Sequence, residues 1–203
     1  MVFRILQDDP SGALSYLLGD PAQGEAVLID PRGADVPLWR AILAEQSLRL
    51  VGWARTHQHD DLHPGEFAAL QGLPGPWWPP QARQEALPVG RQWLRRLATP
   101  GHTPHCHSYL WQDRLFCGGL LAVDACPDQP LPADPAVLWD SVQRVFGLPA
   151  ETLLFVGHAG GPQQPRPAVS LLQQERRDNP WFGRGDRDDF LARMAALAAR
   201  RRH

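Results

Sequence analysis

The stretch RTHQHDDLHPG, residues 55–65, sets His57, His59 and His63 beside Asp60 and Asp61. Two further histidines stand in short glycine-containing motifs, His102 in TPGHTP and His158 in FVGH. His57 and His59 are two positions apart, so on extended chain both rings leave the same side, as a pair of metal ligands must. Imidazole mixed with carboxylate suits zinc or iron; calcium and magnesium prefer shells built from oxygen. One histidine at a strand end is ordinary packing, whereas three separate strand ends closing on histidine point to convergence on a site.

The elements that must position these residues are legible in the hydropathy pattern. FRIL, ALSYLLGD and EAVLID are short apolar runs parted by Gly, Pro and Asp, which predicts an opening β-meander. ADVPLWRAILAEQSL has helical spacing, and RLVGWARTH returns as a buried strand that delivers the histidine cluster. PGEFAALQGL predicts a helix, and LPGPWWPPQARQEALPVG is irregular with one short strand. WLRRLATPGHTP ends as a strand at His102, and HSYLWQDRLFCGG predicts a hairpin turning at Gln112-Asp113. A helix over Ala136–Phe146, the strand TLLFVGH, and amphipathic helices in AVSLLQQERRDNP and RDDFLARMAALAARR complete the chain. Strands and helices mixed in this order suit a layered α/β sandwich.

THQHDDLH resembles the T-H-x-H-x-D-H signature of the metallo-β-lactamase superfamily. TPGHTP and FVGH resemble later motifs of its glyoxalase II and persulfide dioxygenase branch, and the likeness runs from AVLIDP to SLLQQERRDNP. The resemblance implies an α/β fold, an αββα sandwich of two mixed β-sheets flanked by helices. It implies a single domain over 1–203, with 168–203 as C-terminal helices packed on it. His57, His59 and His102 match the first metal site of the family, and Asp61 and His158 match two ligands of the second. Two positions depart. Leu62 stands where the family has a further histidine, and Gly119 in LFCGGLL stands where it has a metal-binding aspartate, with Cys117 in place of a threonine. Neither a leucine nor a glycine side chain can bind a metal, so one zinc or iron ion is expected rather than two.

The matching function is a mononuclear metallo-hydrolase similar to glyoxalase II, cleaving a thioester or related ester with a metal-bound hydroxide. Asp61 would orient or deprotonate the water, and His158 would polarise the substrate or support the ligands. Two alternatives stand beside it. One is a non-haem iron enzyme of sulfur metabolism like the persulfide dioxygenases, whose usual iron carboxylate Gly119 removes. The other is a non-catalytic protein that keeps the fold for binding or assembly. The family's glutathione-binding GCGR is here ACPD around Cys126, without the arginine. His63, Asp60, Cys117 and Asp124 are candidate substitutes for the lost ligands, Cys117 being expected near the metal. Trp77-Trp78 is expected either as a lid over the site or as packing.

The 203 residues carry a net charge of −2, and all 20 basic residues are arginine, as in a GC-rich bacterial genome. That balance gives no footprint for nucleic acid. No apolar run approaches a membrane span, and no secretory leader is expected. Three cysteines without paired spacing predict reduced thiols and a cytoplasmic setting. The expected partner is a small-molecule substrate, a thiol conjugate among the candidates, and a homodimer is compatible with the chain.

Overall fold

The apolar runs near the N-terminus serve two cores at once, because successive side chains of a strand point to opposite faces. In the computed structural model, which describes residues 1–58, 64–123, 125–159 and 167–201, β2 (Leu14–Asp20) sends Leu14, Tyr16 and Leu18 to one core and Leu17 to the other. Its neighbour β3 (Glu25–Ile29) divides likewise, Val27 and Ile29 against Ala26 and Leu28. A strand buried on both faces has no polar alternation, which is why SYLL and AVLI read as continuous apolar runs.

The first sheet has the order β1-β2-β3-β4, with β1 (Val2–Gln7) antiparallel to β2 and β4 (Arg49–Ala54) parallel to β3. Helix α1 (Val36–Glu45) makes the parallel crossover. It lays Trp39 and Leu43 against Trp53 and Leu28, with Leu70 of α2 (Pro64–Leu70) in the same core. The second sheet runs β10-β9-β8-β7-β6-β5. Four of its strands, β5 (Ala86–Val89), β6 (Gln92–Ala98), β7 (His107–Trp111) and β8 (Arg114–Gly118), form an antiparallel meander. The β7–β8 turn falls at Gln112, whose φ is 56°. Helix α3 (Pro135–Phe146), capped by the Asp134 side chain on the Val137 amide, crosses to β9 (Leu153–Val156), parallel to β8. Leu138 and Val142 of α3 join Phe190 and Met194 of α5 (Arg187–Arg200) in the larger core. The layers are therefore helix, mixed sheet, mixed sheet, helix, as expected.

One element differs from the sequence pattern. Val169–Leu171 was expected as the start of a helix and instead forms β10, antiparallel to β9, before α4 (Leu172–Asp178) begins. A three-residue edge strand is set by its neighbour's free edge, not by its own periodicity. Trp77 and Trp78 are packing. Trp77 stacks on Trp53 with ring centres 5.7 Å apart, and Trp78 is buried beneath the Arg96 guanidinium. Among the described residues no helix is long and apolar enough to cross a membrane.

The two sheets are fastened where the aromatic core meets the strand ends. Tyr16, Phe116 and Phe155 pack together, and the Tyr16 hydroxyl donates to the Val156 carbonyl in the opposite sheet. Replacing Tyr16 by Phe leaves that buried carbonyl without the hydroxyl and should cost about 1–3 kcal/mol in urea denaturation. An unchanged denaturation midpoint would show that the bond contributes nothing.

Candidate metal centre

Strands β4, β8 and β9, one in the first sheet and two in the second, end at a common rim, and the loops that leave them carry the chemistry. His57 follows β4, Gly119 follows β8, and His158 follows β9. The β9 end is held by backbone bonds from Leu14 to the Gly157 carbonyl at 2.8 Å and from Ala159 to the Gly12 carbonyl at 2.9 Å. They frame a cleft of about 310 Å³ lined by His57, His158, Asp30, Arg32, Arg55 and Asp128, among others.

His57 is oriented from behind. The Asp30 carboxylate accepts from the Thr56 amide at 2.6 Å and the Thr56 hydroxyl at 2.8 Å. With its proton committed to Asp30, the hydroxyl oxygen is an acceptor for His57 Nδ1, 3.0 Å away. That places the proton on Nδ1 and leaves Nε2 with the lone pair, the state a metal-binding imidazole requires. Asp30 itself is held in a left-handed conformation, φ 50°, by its amide bond to Ala54 O and by Ser15 Oγ on its carbonyl. Burial pushes its carboxyl up to about 6, against the lowering effects of Thr56 and of Arg55.

Among the described residues, one group of ligand-type atoms converges: His57, Cys126 and His158, with one atom from each lying within 4.8 Å of the others. His57 Nε2 is 4.0 Å from Cys126 Sγ. Cys126 is buried, and burial pushes its thiol up while the amides of Gln129 and Asp128 donate to the sulfur and pull it back. A divalent metal that takes imidazole and thiolate fits this donor set.

The expected ligands fare differently. His57 and His158 come together. His59 and Asp61 lie outside the described residues, as do Asp60, Leu62, His63 and Asp124. His102 is buried beside His57, rings 5.0 Å apart and edge to face, but its nitrogens face the Gln129 carbonyl at 3.2 Å and Cys106 Sγ at 3.6 Å. Cys117, expected near the metal, points into the core with its thiol toward the Phe155 carbonyl, and burial pushes it up to about 12. His105 and His107 do not line the cleft; His107 Nδ1 meets the His105 carbonyl at 2.8 Å. Cys126 is the candidate ligand that sequence reasoning missed. Its one signal is the turn-forming Cys-Pro-Asp-Gln run that aims two amides at the sulfur.

Gly119 leaves room that another residue occupies. A Cβ there would meet the His102 ring at 2.9 Å from Nδ1.

No family model matches the chain. It is 30% identical over 195 residues to the human mitochondrial persulfide dioxygenase ETHE1, covering 89% of this chain and 75% of that one. It is also 30% identical over 165 residues to a hydroxyacylglutathione hydrolase of Shewanella sp. (strain ANA-3), covering 70% of this chain and 60% of the relative. Among solved structures, ETHE1 from Myxococcus xanthus superposes with a TM-score of 0.76 at 31% identity, over 97% of this chain and 91% of its own. A metallo-beta-lactamase from Staphylococcus aureus superposes with a TM-score of 0.75 at 22% identity, over 96% and 66%.

Two outcomes follow from this geometry. The folded pKa of Asp30 lies above its ordinary value, so the folded chain holds the proton more tightly than the unfolded one. Its contribution is full below about pH 4 and is lost as pH rises past about 6. The stability of the metal-free protein relative to Asp30→Asn should therefore fall by up to about 3 kcal/mol from pH 4 to pH 7; a difference independent of pH would contradict this. Gly119→Asp should displace the His102 ring, lower stability by about 1–3 kcal/mol, and bind no additional metal in a stoichiometry measurement.

Proposed function

The chain belongs to the metallo-β-lactamase superfamily, and we propose that it is a single-metal hydrolase of small thioesters or related esters. The observation that carries this is the donor set at the foot of the cleft. His57 and His158 converge with Cys126, while Gly119 offers no ligand where the family places a carboxylate. One ion held this way leaves a position open for water or substrate, the arrangement of catalytic rather than structural sites.

A divalent cation bound here would supply Lewis acidity and make a coordinated water acidic enough to ionise near neutral pH. The remaining work falls to the chain. Asp30, through Thr56, fixes the tautomer of His57 and keeps Nε2 directed away from its own strand. Asp61, two residues beyond His59, is assigned the role of accepting the water's proton. The cleft wall carries both signs, Arg32 and Arg55 beside Asp8, Asp30, Glu66 and Asp128, with Arg32 paired to Asp8 at 2.8 Å. A small thiol conjugate is the substrate class proposed.

A second reading is favoured by one specific observation. The alignment with the human persulfide dioxygenase covers 75% of that protein, against 60% of the Shewanella hydroxyacylglutathione hydrolase. Under it the same centre would take iron and oxidise a persulfide. The missing carboxylate at Gly119 weighs against it, because the usual non-haem iron site has two histidines and one carboxylate.

The protein purified without added metal should contain one zinc per chain by elemental analysis and hydrolyse a hydroxyacyl thioester. His57→Ala should lower that rate by at least about 100-fold, with its fold retained by circular dichroism. Two metals per chain would overturn the single-metal reading. Oxygen consumption with glutathione persulfide and Fe(II), without thioester turnover, would establish the second reading. Absence of both activities in protein that binds no metal would leave a binding role.

A further inference from the structure

Position 119 supplies no carboxylate, being glycine, and a Cβ there would start 2.9 Å from the His102 ring. Two neutral imidazoles, His57 and His158, do not balance a divalent charge. The loop that follows β8 supplies an anionic donor. That loop places Cys126 beside both histidines, with Sγ 4.0 Å from His57 Nε2 and all three ligand atoms within 4.8 Å of one another.

Zinc–sulfur and zinc–nitrogen bonds of about 2.3 and 2.0 Å at a tetrahedral angle put sulfur and nitrogen roughly 3.6 Å apart. The observed separation is a few tenths of an ångström wider, within reach of small side-chain rotations. The amides of Asp128 and Gln129 donate to the same sulfur. Amide donors aimed at sulfur favour its anionic form, and Pro127 restricts the turn that brings them there. Cys106 also accepts an amide, that of Thr103, and faces His102, but among the described residues it does not converge with His57 and His158; Cys117 faces the Phe155 carbonyl.

We propose that Cys126 is the anionic ligand of the metal centre, its thiolate standing in for the carboxylate lost at Gly119 in a His57–Cys126–His158 site. The inference rests on the reading that this chain binds one metal. Thiolate is a softer donor than carboxylate, so the substitution keeps the ligand charge and shifts the preference toward zinc. Binding releases the thiol proton to solvent and forms one metal–sulfur bond; nothing is oxidised or reduced.

X-ray absorption on the wild-type zinc protein should show one sulfur at about 2.3 Å together with nitrogen or oxygen neighbours at about 2.0 Å. A shell of nitrogen and oxygen alone would overturn the proposal and leave the hydrolase reading intact. The cobalt-loaded protein should show a near-ultraviolet sulfur-to-metal band. Cys126→Ser should lose the band and bind zinc at least about 100-fold more weakly, while Cys117→Ser keeps it. Persistence of the band in Cys126→Ser would assign the sulfur elsewhere. If that variant fails to fold, the wild-type absorption measurement decides alone. Sulfur-ligated zinc without thioester turnover would uphold the ligand and overturn the hydrolase; protein that binds no metal would overturn both.

Discussion

The site depends on the close approach of two strand ends from opposite sheets. β4 delivers Thr56 and His57, and β8 delivers Gly118 and Gly119, with no space between Thr56 and Gly118 for a side chain on the glycine. At Gly118 the backbone is left-handed, φ +55°, and a Cβ would lie 2.4 Å from Thr56 Oγ1. That hydroxyl is the link between Asp30 and His57, so a larger residue at 118 would dislodge the group that sets the tautomer of a candidate ligand. Glycine is the residue that tolerates both the conformation and the contact. The second glycine lets the His102 ring sit over the chain in the same way. Loss of the family's aspartate is thus coupled to the packing of a histidine.

That coupling gives the departures from the family pattern a physical order. A carboxylate at 119 and a His102 ring in its present place exclude one another on distance alone. Position 119 therefore presents no ligand at the start of the loop after β8. Cys126 lies seven residues beyond Gly119 in that same loop, on the side facing His57 and His158. Burial disfavours an isolated thiolate at this position, and the amides of Asp128 and Gln129 offset only part of that cost. A bound cation supplies the remainder, so the metal and the anionic sulfur stabilise each other.

Most of the fold was legible because it obeys simple periods. Val27 and Ile29 against Ala26 and Leu28 is a strand buried on both faces, and Leu138 with Val142 is one side of a helix. β10 was not legible, because three residues carry no period and Val169–Leu171 becomes a strand only by pairing with β9. Within the site, His57 and His158 were readable from strand-end motifs, where sequence position determines direction. The position of Cys117 was misjudged: at the end of β8, where the pairing with β9 shifts register, its side chain lies in the larger core with the thiol toward the Phe155 carbonyl. Cys126 sits in a loop, where no period relates sequence to direction, and only the three-dimensional turn shows which way the sulfur points.

The remaining question is what a thiolate changes in a centre that otherwise uses imidazole and carboxylate. Charge is conserved, so the electrostatic field at an open coordination position changes little. Softness and reach do change. A carboxylate offers two oxygens, whereas a thiolate offers one softer sulfur, here with two amides donating to it. The ligand proposed here therefore agrees with the absence of a metal-binding side chain at both Leu62 and Gly119. Neither position supplies a side chain that could hold a second ion.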